Sequence, residues 1–254
     1  MRKTCLESVY KLAKRNKRVI FIGSDLGPGV LKKFKEKIPE RFIMEGVSEQ
    51  SIVGIAAGLA IEGYLPYVNT IATFLTRRCF EQLVIDLCLH DLPVKLIGNG
   101  GGLVYAPLGP THQAIEDISI LRTLPNMTIL APCDAFEMKN LVPATLKWPH
   151  PIYIRLARGG DQIITKKNEK IVIGKSVMIK KPGEYLFITT GIATQIALKA
   201  SKKLDNEHNI KSGVIHFPSI KPLDSQALLK WVKKVKKIIT VEENVLSGGF
   251  GSSI

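Results

Sequence analysis

Cysteine is scarce in this chain. Cys5, Cys79, Cys88 and Cys133 are widely spaced, and no CxxC pair occurs. Zinc ribbons, dithiol redox motifs and disulfide scaffolds are therefore excluded, and free core thiols in a reducing compartment are expected. Acidic residues are also in short supply: 22 Asp+Glu against 36 Lys+Arg leave a formal charge of +14. The excess sits in Lys-rich patches without aromatics, such as "KKFKEK" from Lys32 and "KKVKK" from Lys233. Base-reading and strand-stacking surfaces interleave Arg with aromatic rings, so these patches read as solvated surface and nucleic acid is not expected as a partner. No apolar run reaches the length of about 18 residues that spans a bilayer. The N-terminus is too charged for a signal peptide, which makes the cytoplasm the expected location. GxGxxG after a strand, GxxxxGK[ST] and GxSxG are all missing, so Rossmann, P-loop and hydrolase-elbow sites are not supported. The five histidines have no zinc spacing.

What is present is a regular alternation. Apolar strand-like runs ("RVIFIG", "RFIM", "LPYVNTI", "PVKLIGN", "MTILAP", "PIYIRL") alternate with periodic helical stretches. Helices are expected over "TCLESVYKLAKRN" (capped by Thr4), "VLKKFKEKIP", "SEQSIVGIAAGLAIEG", "TRRCFEQLVIDLCLHD", "HQAIEDISILRTLP" and "AFEMKNLVPATLKW". This order predicts an α/β fold with a mostly parallel sheet covered on both faces, residues 1–156. Residues 157–184 are polar and Lys-rich, and read as a connection holding a short hairpin. A second, smaller α/β unit follows over 185–254. It stops in the glycine-rich "LSGGFGSSI", where a further helix is expected, so the chain reads as cut short. Ligands of such sheets bind beyond the carboxyl ends of the strands, here near Ser24–Asp25, Gly98–Gly102 and Ala157–Gly160.

Several residues invite two readings. Glu49 opens the small-residue helix "EQSIVGIAAGLAIEG" behind Ser48, a candidate cap. An acid in a first turn stabilises a helix dipole, and the same carboxylate close-packed among Ala and Gly is poised for proton work. His112, in "GPTHQ", is a helix-capping residue or an anion and proton contact. Phe74 is plain core or a flat face for a ring. Strand alternation puts Arg155 and Arg158 on opposite sides of "YIRLARGG". Arg158, beyond the strand end, is a surface ion-pair partner or a phosphate ligand.

Four stretches taken together resemble one family. "FIMEGVSEQSIVGIAAGLAIEG", "TFLTRRCFEQ", "GPTHQAIEDISILRTLPNMTILAPCD" and "ITVEENVLSGGFGS" are similar to the C-terminal half of transketolases and to deoxyxylulose-phosphate synthase, in the same order along the chain. The resemblance implies thiamine diphosphate bound between two chains, with residues 1–156 as the pyrimidine-binding domain and 185–254 as the transketolase C-terminal domain. It places Glu49 on the pyrimidine N1′ and Phe74 stacked on the ring, with Ile71 and Arg77 as further cofactor contacts. It also implies His112 near the reacting oxygens, Arg158 on a substrate phosphate and Asp25 near the substrate channel.

Two departures qualify what is implied. The diphosphate domain, with its GDG motif and downstream Asn for Mg²⁺, is absent from this sequence. The expected enzyme is then a split transketolase, completed by an N-terminal-type partner in a tetramer with two copies of each chain. Leu108 stands in an acidic position of transketolases and Gly100 in the place of a histidine, which points away from the ordinary pentose phosphates. The other readings are the β subunit of a 2-oxo acid dehydrogenase, a synthase condensing a 2-oxo acid with an aldehyde, and a non-catalytic chain retaining the fold.

Overall fold

The computed structural model describes residues 1–24, 31–157, 161–166 and 169–254. The chain opens with α1 (Arg2–Arg15), β1 (Val19–Gly23), α2 (Lys32–Lys37), β2 (Phe42–Met44), α3 (Glu49–Ile61) and β3 (Leu65–Ile71). A helical stretch follows in three pieces: a π-helical turn Phe74–Arg78, a short α4 (Phe80–Gln82) and a second π segment Leu83–Cys88. Next come β4 (Lys95–Asn99), α5 (Asp117–Arg122), β5 (Thr128–Leu130), α6 (Ala135–Thr145) and β6 (Ile152–Leu156). The remainder is β7 (Val177–Lys180), β8 (Tyr185–Thr189), α7 (Ala193–His208), β9 (Ser212–His216), β10 (Ser219–Lys221), α8 (Ser225–Val232) and β11 (Lys237–Val241).

Seven strands form the first sheet, in the order β10-β5-β6-β4-β3-β1-β2. All its pairings are parallel except β10 against β5. Period-two alternation divides its side chains between two cores. In β1, Val19 and Phe21 join α1 and α6 on one face, while Ile20 and Ile22 join α3 and the 74–88 helices on the other. The second sheet runs β11-β8-β9-β7, with β7 antiparallel. Its Leu186, Ile188 and Ile215, with Phe217 just after β9, share one core with α3, α5 and the first sheet. The two sheets are thus one packed body, which is reinforced by β10 crossing to the edge of the first.

The structure departs from the sequence expectations at four places. α1 starts at Arg2 rather than behind Thr4, whose carbonyl accepts from the Ser8 hydroxyl at 2.7 Å inside the helix. The helix expected from His112 begins only at Asp117. Ala114 spends both its N–H and its C=O on Gly102 in a β-bridge, so no helical turn forms there. The helix expected over "TRRCFEQLVIDLCLHD" is interrupted by the two π segments. Within 160–183 no hairpin forms among the described residues; the strand there, β7, pairs with β9 of the second sheet.

Candidate functional site

Glu49 opens α3 and is 2% exposed. Ser48 caps the helix without a side-chain hydrogen bond, so the carboxylate is the polar side chain at this N-terminus. Its Oε1 accepts from the Ser24 hydroxyl at 3.2 Å, at the carboxyl end of β1. Its Oε2 accepts from Arg78 Nη1 at 2.6 Å. The Arg78 guanidinium lies in turn over the Phe74 ring, with its carbon 4.4 Å from the ring centroid. The Phe74 and His112 rings lie centroid to centroid 5.0 Å apart, in an edge-on arrangement. Glu49, Phe74 and His112 are therefore brought into one row, with Arg78 between the first two.

The π turn explains this placement. It starts at Phe74 and ends at Arg78, and its extra residue per turn re-aims successive side chains. Arg78 points to Glu49. Arg77 turns to the His112 loop, donating to the carbonyls of Pro110 (3.3 Å) and Thr111 (2.9 Å) and pairing with Glu116 at 3.0 Å. Thr111 Oγ1 shares a hydrogen bond of 2.9 Å with His112 Nδ1. Ile71, half-buried at the end of β3, has Asn99 of β4 as its register partner. Behind it a buried amide ladder ties the strand ends together: Asn69 donates to the Ile97 carbonyl at 3.0 Å, and Asn99 to Asn69 at 3.2 Å. Asp25 and Arg158 lie outside the described residues. Cys79, next to Arg78, is pushed up to about 12 by burial and by the Glu49 charge, which keeps it an inert thiol.

A second polar cluster lies behind the loop that carries His112. Arg155, 6% exposed, donates from Nε to Asp117 at 2.8 Å and from Nη2 to the carbonyls of Ala114 (2.9 Å) and Glu243 (2.7 Å). Tyr153 also donates to Asp117, at 2.7 Å. Burial works against the Arg155 charge, yet the adjoining Asp117 raises its hold on the proton. Burial likewise pushes the Glu243 carboxyl up, against the pull of Arg155. This cluster joins β6, the 101–114 loop and Glu243 just after β11, so it fixes the loop that carries His112. Gly101 sits where any Cβ would strike the Arg155 side chain. At Gly100 the backbone φ is +78°, and an added side chain would run into the ring of Tyr105. The histidine that transketolases carry there has no room in this backbone.

The Glu49–Phe74 row tests whether an aminopyrimidine fits. Arg78 is a planar cation that hydrogen-bonds the carboxylate and faces the aromatic ring, which are the two contacts the resemblance assigns to the pyrimidine. The donor set therefore suits such a ring. Among the described residues, Cys133, Glu137 and His216 are the group able to converge on a metal. They belong to the β5–α6 corner and β9, and Glu137 already bonds both of the others through one oxygen, while its Oε1 is buried without a partner. Glu137 Oε2 accepts from the Cys133 amide at 2.6 Å and lies 2.9 Å from His216 Nε2. A Mg²⁺ ion asks for oxygen ligands, and of this group only Glu137 offers them, beside a thiol and an imidazole.

The sequence by itself points to Glu49, Phe74 and His112, and to Ser24 as part of a ligand rim, but not to Arg78 or Asp117. For Arg78 the available signal was its place beside Arg77, since adjacent residues on a helix point in different directions. For Asp117 it was the acidic residue opening a helix two strands from a buried arginine.

The transketolase pyrimidine-binding domain matches residues 1–160, and the transketolase C-terminal domain matches 174–254. A 1-deoxy-D-xylulose-5-phosphate synthase from Syntrophus aciditrophicus (strain SB) is 38% identical over 97% of this chain and 38% of its own length. The chain thus spans about two fifths of the synthases it matches. The 6-deoxy-6-sulfo-D-fructose transketolase subunit SqwH of Clostridium sp. (strain MSTE9) is 31% identical over all of this chain and 79% of its own. Among solved structures, a split-gene transketolase described as an inactive beta4 tetramer superposes with a TM-score of 0.91. It has 30% identity and covers 99% of this chain and 82% of that one. Transketolase variants from Pichia stipitis share the fold at a TM-score of 0.82 and 22% identity, over 97% of this chain and 39% of theirs. With both domain models matched in order along its length, the chain belongs to the transketolase family.

Proposed function

We propose that this chain is the pyrimidine-side subunit of a split, thiamine-diphosphate-dependent, transketolase-type enzyme of the cytoplasm. The reaction is transfer of a two-carbon ketol unit between sugars or sugar phosphates. The observation that carries the reading is Glu49, a carboxylate 2% exposed at a helix mouth, facing the Phe74 ring across a planar cation. Thiamine diphosphate, when bound, supplies carbanion stabilisation, while the protein supplies orientation and proton handling. Glu49 holds a proton against the ring nitrogen, with Ser24 fixing the carboxylate's orientation. Phe74 offers its face to the ring, and Ile71 lies nearby. His112, braced by Thr111 and Arg77, faces the reacting oxygens. Arg158 is assigned to the substrate phosphate and Asp25 to the channel.

The diphosphate and its Mg²⁺ fall to a partner carrying the N-terminal-type domain, in an assembly with two copies of each chain. The existence of a split-gene relative whose tetramer of one chain is described as inactive supports this division of labour. The division into 1–156, a connection over 157–184 and 185–254 belongs to the same reading. A second reaction has specific support. The relatives at 38% identity are synthases, and Gly100 has no room for the transketolase histidine. A condensation of a 2-oxo acid with an aldehyde is the second reading.

The test is reconstitution. The chain is mixed with a partner bearing GDG and Asn, thiamine diphosphate and Mg²⁺, and ketose and 2-oxo acid donors are screened. Two-carbon transfer from a ketose is expected. Its absence with every phosphoketose in an assembled complex overturns the first reading, and carbon dioxide release from a 2-oxo acid that requires an aldehyde acceptor establishes the second.

A further inference from the structure

The Arg78 guanidinium makes both contacts that the proposed site reserves for an aminopyrimidine. Its Nη1 reaches Glu49 Oε2 at 2.6 Å. Its carbon lies 4.4 Å from the Phe74 centroid, at the separation of a stacked ring. A ring hydrogen-bonded to Glu49 and laid on Phe74 needs that same volume. The two cannot be accommodated together.

We propose that Arg78 is an internal occupant of the pyrimidine place, and that an aminopyrimidine binds only by displacing it. The proposal rests on the reading of Glu49 and Phe74 as the ring site. Three features make Arg78 suited to the part. A guanidinium is planar and weakly hydrated, so it stacks and pairs as a ring does. Glu49 is buried, and a buried carboxylate without a partner is costly, so the chain gains from keeping a cation there. Arg78 itself is 44% exposed, so its head leaves for water by side-chain rotation alone. Arg77, one residue earlier, cannot substitute for it, because its guanidinium is committed to Pro110, Thr111 and Glu116. The affinity of the chain for the ring is then set by the difference between two occupants of one place.

Thiamine, which carries the ring without the diphosphate, is the probe. Calorimetric titration of the full chain compares wild type with Arg78→Ala. The variant is expected to bind thiamine at least about ten-fold more tightly, the equivalent of about 1.4 kcal/mol. Guanidinium ion at low concentration should weaken thiamine binding to Arg78→Ala by occupying the emptied place, and should leave wild type unchanged. In wild type, the Arg78 Nε–H resonance should lose its ring-current shift as thiamine is added. Circular dichroism checks folding. If Arg78→Ala unfolds, Arg78→Met keeps the stem against Phe74 and carries the comparison. Equal or weaker thiamine binding by the Arg78 variant, or no binding by either protein, overturns the proposal. Tighter binding that survives Glu49→Gln and Phe74→Ala in the Arg78→Ala background overturns the ring site itself.

Discussion

Removal of Asp117 should loosen the molecule more than any surface change. Asp117 is 1% exposed and Arg155 6%, and their ion pair is 2.8 Å long. Asp117→Ala leaves a buried guanidinium without this counter-charge and strips Tyr153 of its acceptor. Breaking a buried pair from one side costs about 3–5 kcal/mol. Arg155 keeps two carbonyl acceptors, and a Glu243 carboxylate oxygen stands 4.0 Å from Nη1 as a substitute. The lower figure, about 3 kcal/mol, is therefore expected. At this chain size, that lowers the melting temperature by roughly 6–12 °C. Thermal unfolding followed by circular dichroism reads it. Asp117→Leu combined with Arg155→Met should recover most of the loss, because an apolar pair needs no desolvation. A single variant melting within about 2 °C of wild type, or a double variant whose loss is the sum of the singles, refutes the coupling.

Further outcomes follow from individual side chains. In the reconstituted enzyme Glu49→Gln should assemble normally and lose about 10²–10⁴ in turnover; steady-state kinetics on the purified complex decides it. Phe74→Ala should weaken cofactor binding about ten-fold through loss of a stacked ring, read as an increase in the cofactor KM with assembly intact. Arg158→Ala should raise KM for phosphorylated donors while sparing unphosphorylated ones, and parallel kinetics with both donor types separates the cases. Burial, with Arg18 nearby, pushes the Lys95 ammonium down to about 8. The folded chain then binds fewer protons than the unfolded one between pH about 8 and 10.5, so stability rises with pH across that window. Lys95→Met should abolish the slope and stabilise the chain at pH 7 by up to about 3 kcal/mol, as judged by urea midpoints at several pH values.

Strands were legible wherever apolar residues alternate between two cores. "VIFI" in β1 divides its side chains in the way its period predicts, and "LPYVNTI" became β3 from end to end. The parallel order follows from the alternation with helices. The π turns were not legible, because one extra residue per turn hardly changes an apolar period over so short a stretch. β7 lies in the stretch expected as a connection, and β10 carries no strand signal of its own. They are three or four residues long, and only a partner strand far along the chain makes them strands. At the site, the run of Ala and Gly behind Glu49 announced a close-packed carboxylate. Nothing in "TRR" says which arginine faces it; the π turn decides that. Alternation put Arg155 and Arg158 on opposite sides, but the acid answering Arg155 stands 38 residues earlier, beyond the reach of local patterning.

The β10 strand bears on how this protein is to be handled. Ser219–Lys221, from the second half of the chain, closes the β5 edge of the first sheet. A fragment ending after β6 would expose the β5 edge, with its Thr128–Leu130 backbone open to pairing with other chains. It would also leave Ile129 and Met127 without Phe217 and Ile220 from the same core. The pyrimidine-binding half expressed alone should therefore self-associate, and binding work on this site requires the C-terminal half to be kept attached.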